Sequence, residues 1–190
     1  MSTDVELMAN LADGDDAALG ELMQRWQDRV ATYLYRATSS SQAAADLTQE
    51  TSVKLYQARN RYKPTASFST YLFSIAANLA RNHSRWHTRH PTVALEADGE
   101  ANSVLSKLSE PGQNPQEAAI AAESVQRLQR AFRSLPDDLR EAMSLFVYED
   151  MGYAEIAAVA GCSPKAAETR IYRARQLLKE KLGELRVGKE

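Results

Sequence analysis

The 190-residue chain has a single cysteine, Cys162, so no internal disulfide braces it, and no CxxC or zinc-type spacing is present. Glycine is scarce, and alternating β-branched runs are few, which argues against sheet structure. No apolar run approaches bilayer length and no stretch resembles a signal peptide's apolar core, so membrane insertion is excluded and a cytoplasmic chain is expected. Abundant Ala, Leu, Gln, Arg and Glu instead predict an all-α protein. The most informative scarcity is local. From Thr51 to Leu95 there is no Asp or Glu, although the whole chain carries a formal charge of −2.

That acid-free block contains Lys54, Arg59, Arg61, Lys63, Arg81, Arg85 and Arg89, with His83, His87 and His90. A one-sign patch repels itself unless something anionic lies against it, and nucleic acid is the natural counterpart. The second half of the block reads as an amphipathic helix capped by Ser67, with an apolar stripe of Phe68, Leu72, Ile75, Leu79 and Trp86. The opposite side presents Ser74, Asn78, Arg81, Arg85 and Arg89, with Asn82 beside them. Asn offers a donor and an acceptor to a base edge, and Arg holds phosphate or guanine. Upstream, Asn60 to Thr65 reads as a basic loop centred on Tyr62, the aromatic-plus-cation pairing that suits a single strand. A solvated helix face over a core of aromatics accounts for the same pattern equally well.

Before the block, the Asp13-Gly14-Asp15-Asp16 cluster separates a short helix from a long one built on Leu19, Leu22, Met23, Trp26, Val30, Tyr33 and Leu34. A helix from about Gln42 to Arg59 follows, with an apolar face of Leu47, Val53, Leu55 and Tyr56 and with Asp46, Gln49, Glu50 and Val53 sharing another; periodicity alone favours a solvent-facing strip for the latter. From 91 to 114 the helical signal fades among Ser, Gly, Pro and scattered acids, which predicts a flexible linker between two small helical domains, 1–90 and 115–190. Asn114, Pro115 and Glu117 resemble a capping box for a helix to about Ser134 that buries Ile120, Val125, Leu128 and Phe132. Leu135 to Asp138 restarts a helix carrying Leu139, Met143, Phe146 and Val147, ended by Met151-Gly152.

Tyr153 to Leu178 reads as a helix-turn-helix. Gly161 supplies the turn and, with Ala157, a close crossing; Ser163 caps and Pro164 opens the second helix. That helix directs Lys165, Glu168, Thr169, Tyr172, Arg173 and Gln176 outward and Ile171, Ala174, Leu177 and Leu178 inward, as a major-groove reader requires. A purely structural helical hairpin is the plain alternative. Cys162 lies in the turn, where a small buried apolar role competes with redox sensing.

Asp46-Leu47-Thr48-Gln49-Glu50, Lys54-Leu55-Tyr56 and the run Phe68 to Asn78 resemble region 2 of bacterial sigma factors, specifically the extracytoplasmic-function (ECF) group of the sigma-70 family. Ser134 to Arg140, Tyr153 to Ala157 and Arg170 to Arg175 resemble region 4 of that group. The resemblance implies a non-enzymatic transcription factor without cofactor or metal. Its partners would be core RNA polymerase (the β′ coiled coil and β flap), promoter DNA and an anti-sigma factor. Asp46, Gln49 and Glu50 would dock on the β′ coiled coil. Arg61, Tyr62, Lys63, Phe68, Asn78, Arg81, Asn82 and Arg85 would engage and help open the −10 element. Lys165, Glu168, Thr169, Arg170, Tyr172 and Arg173 would face the −35 duplex, and the acidic linker would lie along the RNA path. Ala167 and Glu168 depart from the group's usual Val and basic residue, which leaves the −35 preference open.

Two rivals remain at this level. A duplex-binding regulator independent of polymerase explains the helix-turn-helix but leaves the basic block unexplained. A metal-dependent nuclease using His83, His87 and His90 lacks any carboxylate in the block and any HExxH pattern.

Overall fold

The computed structural model describes residues 2–90 and 115–187, with side chains from 122 to 183 in the second stretch, and every regular element among them is helical. The first unit contains α1 (Asp4–Ala12), α2 (Ala17–Thr38), α3 (Ser41–Gln57), a 3-10 turn (Arg59–Arg61) and α4 (Phe68–Arg89). The second contains α5 (Pro115–Arg133), α6 (Asp137–Tyr148), α7 (Tyr153–Ala160) and α8 (Pro164–Val187). The linker expected at 91–114, the Asn114 capping box and the burial of Ile120 fall outside the described residues.

Caps explain where the helices of the first unit start. Thr3 and Glu6 form a reciprocal box at α1, with Glu6 N–H donating to Thr3 Oγ1 at 3.2 Å and Thr3 N–H to Glu6 Oε2 at 2.7 Å. Between α1 and α2, Gly14 takes φ 100° and the Asp15 carboxylate accepts from Ala17 N–H at 3.1 Å. Ser40 caps α3 by accepting from Ala43 N–H, and Ser67 caps α4 by accepting from Thr70 N–H. Leu7, Met8, Leu11, Leu22, Val30, Leu34, Leu55, Leu72 and Phe73 are buried where these helices meet, each contributing about 1.5–3 kcal/mol of apolar burial.

In the second unit Phe132, Leu139, Met143, Leu145, Ile156, Ala167, Ile171 and Ala174 form the core. Gly161 takes φ 64° and a Cβ there would meet nothing within 4 Å. Its role in the turn is therefore backbone conformation, and the close crossing expected at this glycine is absent. Four apolar expectations also change, the first being Val53 of α3, which is 52% exposed. Trp86 is 52% exposed because the last turns of α4 extend past their packing partners; Leu128 and Val147 lie on outer faces of α5 and α6 at 44% and 51%. The helix α6 ends before Met151-Gly152, at Tyr148, and Asp150 adopts φ 53° in the turn that follows.

The two units pack on one another, α4 against α7 and α2 against α6.

Candidate nucleic-acid and polymerase interfaces

On α3, Leu47, Thr51 and Leu55 turn inward and Asp46, Gln49, Glu50 and Val53 turn outward. Thr51 satisfies its buried hydroxyl by donating to the Leu47 carbonyl at 2.7 Å, so this polar residue packs without an orphaned group. Asp46 is steadied by Gln42, whose side-chain amide donates to Oδ1 at 3.0 Å. Val53 is 52% exposed, which adds an apolar contact to the acid and amide groups of one helix face.

The loop before α4 is built on aromatic packing. Tyr62 lies 4.9 Å from the Tyr71 ring and 6.3 Å from Phe68, and Phe68 meets Trp26 edge-on at 5.7 Å. Burial raises Tyr62 and Tyr71 above the usual phenol pKa, and the Tyr62 hydroxyl is buried without a partner among the described residues. Arg61 and Lys63, on either side of Tyr62, are exposed. Phe68 is 4% exposed, so its ring supports the loop from the core and does not lie on the outer face where a base would stack.

Along α4, Asn78, Asn82 and Arg85 are exposed and Arg81 is half-buried. Arg85 donates to Asn82 Oδ1 at 2.7 Å and to the Arg81 carbonyl at 3.3 Å. Arg81 bonds Asn78 Oδ1 through Nη2 and pairs with Glu141 of α6 through Nη1. The nearby His83 and His87 rings lie 4.3 Å apart, and burial with the neighbouring imidazole lowers the His83 pKa. Among the described residues no group of three His, Cys, Asp or Glu is placed to hold a metal.

On α8, Ser163 caps the helix by accepting from Ala166 N–H at 3.2 Å. Lys165 is paired with Glu168 at 2.8 Å, which raises its pKa, and Thr169 donates to the Lys165 carbonyl at 2.8 Å. Tyr172 is 63% exposed, with Arg173 and Gln176 beside it in solvent. Arg170 stands apart, turned to Asp138 of α6 with 3.5 Å between Nε and Oδ2. Ala167 is fully buried. The outward set thus gathers Lys165, Glu168, Thr169, Tyr172 and Arg173 on one face and leaves Arg170 at its inner edge.

The family model for sigma-70 region 2 matches residues 22–90, and that for sigma-70 region 4 matches residues 125–178. The ECF RNA polymerase sigma-E factor of Escherichia coli K12 is 32% identical over 185 residues, covering 95% of this chain and 94% of the relative. This chain belongs to the ECF sigma factors of the sigma-70 family. The fold is also that of CnrH in its complex with the cytosolic domain of CnrY, at TM-score 0.69 and 25% identity over 96% of this chain and 99% of that one. The sigma factor RpoE bound to the anti-sigma factor NepR from Bartonella quintana matches at TM-score 0.62 and 19% identity, covering 86% and 96% of the two chains. A sigma factor is a transcription-initiation subunit that works with core RNA polymerase and promoter DNA, and is no enzyme. Among the described residues no helix is long and apolar enough to cross a membrane.

The residues that sequence reasoning missed in this sigma factor are the carboxylates joining its two units. Glu141 receives Arg81; Asp137 accepts from Ser84 at 2.9 Å; Glu155 accepts from Ser67 at 2.9 Å and Thr70 at 3.1 Å. Across α2 and the second unit, Glu149 pairs with Arg29 at 2.8 Å, the Arg36 guanidinium lies 3.4 Å from the Tyr148 ring centre, and Arg133 donates to Tyr35 Oη at 2.8 Å. Burial raises Glu141 and Glu149 above the usual carboxylate pKa against the pull of Arg81 and Arg29, whereas the Gly152 N–H and Ser67 hydroxyl lower Glu155. The available signal was the acid-free block itself, which calls for an anionic neighbour.

Proposed function

We propose that residues 1–90 form the unit that docks on core polymerase and captures the opened −10 strand, that 91–114 is the tether, and that 115–190 reads the −35 duplex. The acid-amide-apolar face of α3 (Asp46, Gln49, Glu50, Val53) fits a helical, basic-edged partner and is assigned to the β′ coiled coil. Arg61, Lys63, Asn78, Arg81, Asn82 and Arg85 hold the non-template strand, with Tyr62 and Phe68 shaping the loop that receives an unpaired base. Lys165, Glu168, Thr169, Tyr172 and Arg173 enter the major groove, and Arg170 braces α8 against α6. An anti-sigma factor holds this chain inactive in the cytoplasm.

One observation supports the reading: the exposed α3 face, the exposed Asn78, Asn82 and Arg85 of α4 and the outward set on α8 lie on separate surfaces of a sigma-family chain, while Arg81 is drawn to Glu141 of the second unit. The test is reconstitution. Purified protein added to core polymerase should yield transcripts whose mapped starts share two upstream elements at fixed spacing. No affinity for core enzyme and no promoter-dependent transcript would end the proposal.

A further inference from the structure

The acid-free stretch does have an anionic neighbour in this conformation, and it is the chain itself. Three carboxylates from the second unit lie along α4. Glu155 takes the hydroxyls of Ser67 and Thr70 at its N-terminus, Glu141 takes Arg81, and Asp137 takes Ser84. Residues 67 to 84 span about 25 Å of helix at 1.5 Å per residue. Hydroxyls and guanidinium are the donors that elsewhere hold DNA phosphate, and a carboxylate offers them the same charge-assisted acceptor. Val159 adds a backbone carbonyl to Arg81 at 3.4 Å. The coverage is partial. Asn82, next to Arg81, and Arg85, one turn beyond Arg81, bond only within α4 and stay exposed.

We propose that Asp137, Glu141 and Glu155 act as an intramolecular stand-in for the phosphates of the −10 strand, keeping the free protein closed until it is opened on polymerase. This rests on the reading of α4 as the strand-binding face. The exposed Arg85 and Asn82 give a strand its first hold, and phosphates then replace the carboxylates as the units part. Closing the site in this way lowers non-specific binding of the free protein, because only its open fraction is competent.

The experiment uses the full chain and a mixed-sequence single-stranded oligonucleotide, with affinity measured at several salt concentrations and shape followed by small-angle scattering. Glu141→Gln with Glu155→Gln keeps side-chain shape and the hydrogen bond at Gly152 but removes two charges. This double variant should expand the protein and raise its affinity about tenfold, with transcription by the preassembled holoenzyme unchanged. A second variant, Ser84→Cys with Asp137→Cys on a Cys162→Ser background, should lose oligonucleotide binding when oxidised and recover it on reduction. Oxidised, cross-linked protein that binds as well as the reduced form overturns the proposal. So does a glutamine double variant with unchanged shape and affinity. A parallel Arg85→Ala variant separates the two levels of failure. If it loses binding while the clamp variants change nothing, the clamp is wrong and the strand-binding face stands; if it too binds normally, the face itself is misassigned.

Discussion

Arg81 and Arg85 sit one turn apart on α4 and have opposite fates: Arg81 crosses to Glu141 in the second unit, while Arg85 stays in solvent and donates to Asn82 at 2.7 Å. Their shared place on the proposed strand-binding face does not imply a shared role in stability. The side chain of Glu141 is only 11% exposed, so removing Arg81 leaves a largely buried carboxylate without its guanidinium. Arg81→Ala should therefore cost about 1–3 kcal/mol. Arg85→Ala should stay within about 0.5 kcal/mol of the parent. Urea unfolding of both variants decides it, and equal stabilities would show the crossing pair to be energetically idle.

The raised carboxylates set the sign of a pH effect. Burial holds Glu141 and Glu149 protonated to higher pH in the folded chain than in the unfolded chain, despite Arg81 and Arg29. Between the usual carboxylate pKa and the raised folded one, the folded state binds more protons, so stability falls as pH rises. Glu155 is lowered and works the other way, losing its contribution as pH falls through its folded pKa. Urea unfolding from mildly acidic to neutral pH should show Glu141→Gln gaining on the parent as pH rises. A pH-independent difference between the two proteins would contradict the assignment.

Two glycines that leave equal room should respond oppositely to alanine. Neither Gly161 nor Gly183 has an atom within 4 Å of an added Cβ, but Gly161 takes φ 64° in the turn between α7 and α8, whereas Gly183 is within α8. Alanine in the left-handed turn costs roughly 1–2 kcal/mol. Alanine in a helix gains up to about 1 kcal/mol over glycine. Thermal unfolding should move down for Gly161→Ala and up for Gly183→Ala, and movement in the same direction would refute the argument.

These contrasts show what a sequence carries and what it does not. The Ser67 cap, the Pro164 start and the outward set on α8 were legible because each depends on neighbours within a turn or two. Leu128 and Trp86 were misplaced because periodicity gives a face but not whether another helix covers it. The Arg81–Glu141 pair joins residues sixty apart. Nothing local marks such a pair, although the missing acids of the basic block required some partner of that kind. Arg170 was grouped with the groove readers by motif; its position beside Asp138 depends on how α6 lies under α8.

On the proposed −35 face, Glu168 and Arg173 should fail in different ways. Glu168 pairs with Lys165 at 2.8 Å, so it both restrains a cation and offers an acceptor to a base amino group. Glu168→Gln should change which base is preferred at one position, by about 1–3 kcal/mol of discrimination. Arg173→Ala should weaken duplex binding uniformly across sequences and reduce the salt slope by about 1. Binding selection from a randomised duplex, repeated at several salt concentrations, reads both effects. An unchanged preference for the Glu168 variant would remove it from base readout.

The α3 face makes the last prediction, because its residues sit outside both proposed DNA surfaces. Asp46, Glu50 and Val53 are exposed, and Asp46 has only the Gln42 amide as a side-chain partner among the described residues. Reversing charge there with Asp46→Lys and Glu50→Lys leaves the buried Leu47, Thr51 and Leu55 untouched. Stability should therefore stay within about 0.5 kcal/mol for each exposed substitution. Association with a basic-edged helical partner loses its electrostatic steering and meets like charge instead, so affinity for core polymerase should fall at least tenfold, mostly through slower association at low salt. Oligonucleotide binding by the free protein should not fall. Normal core affinity in a well-folded double variant would exclude this face as the docking site. Lost core affinity together with lost oligonucleotide binding would instead show that the substitutions had disturbed the fold.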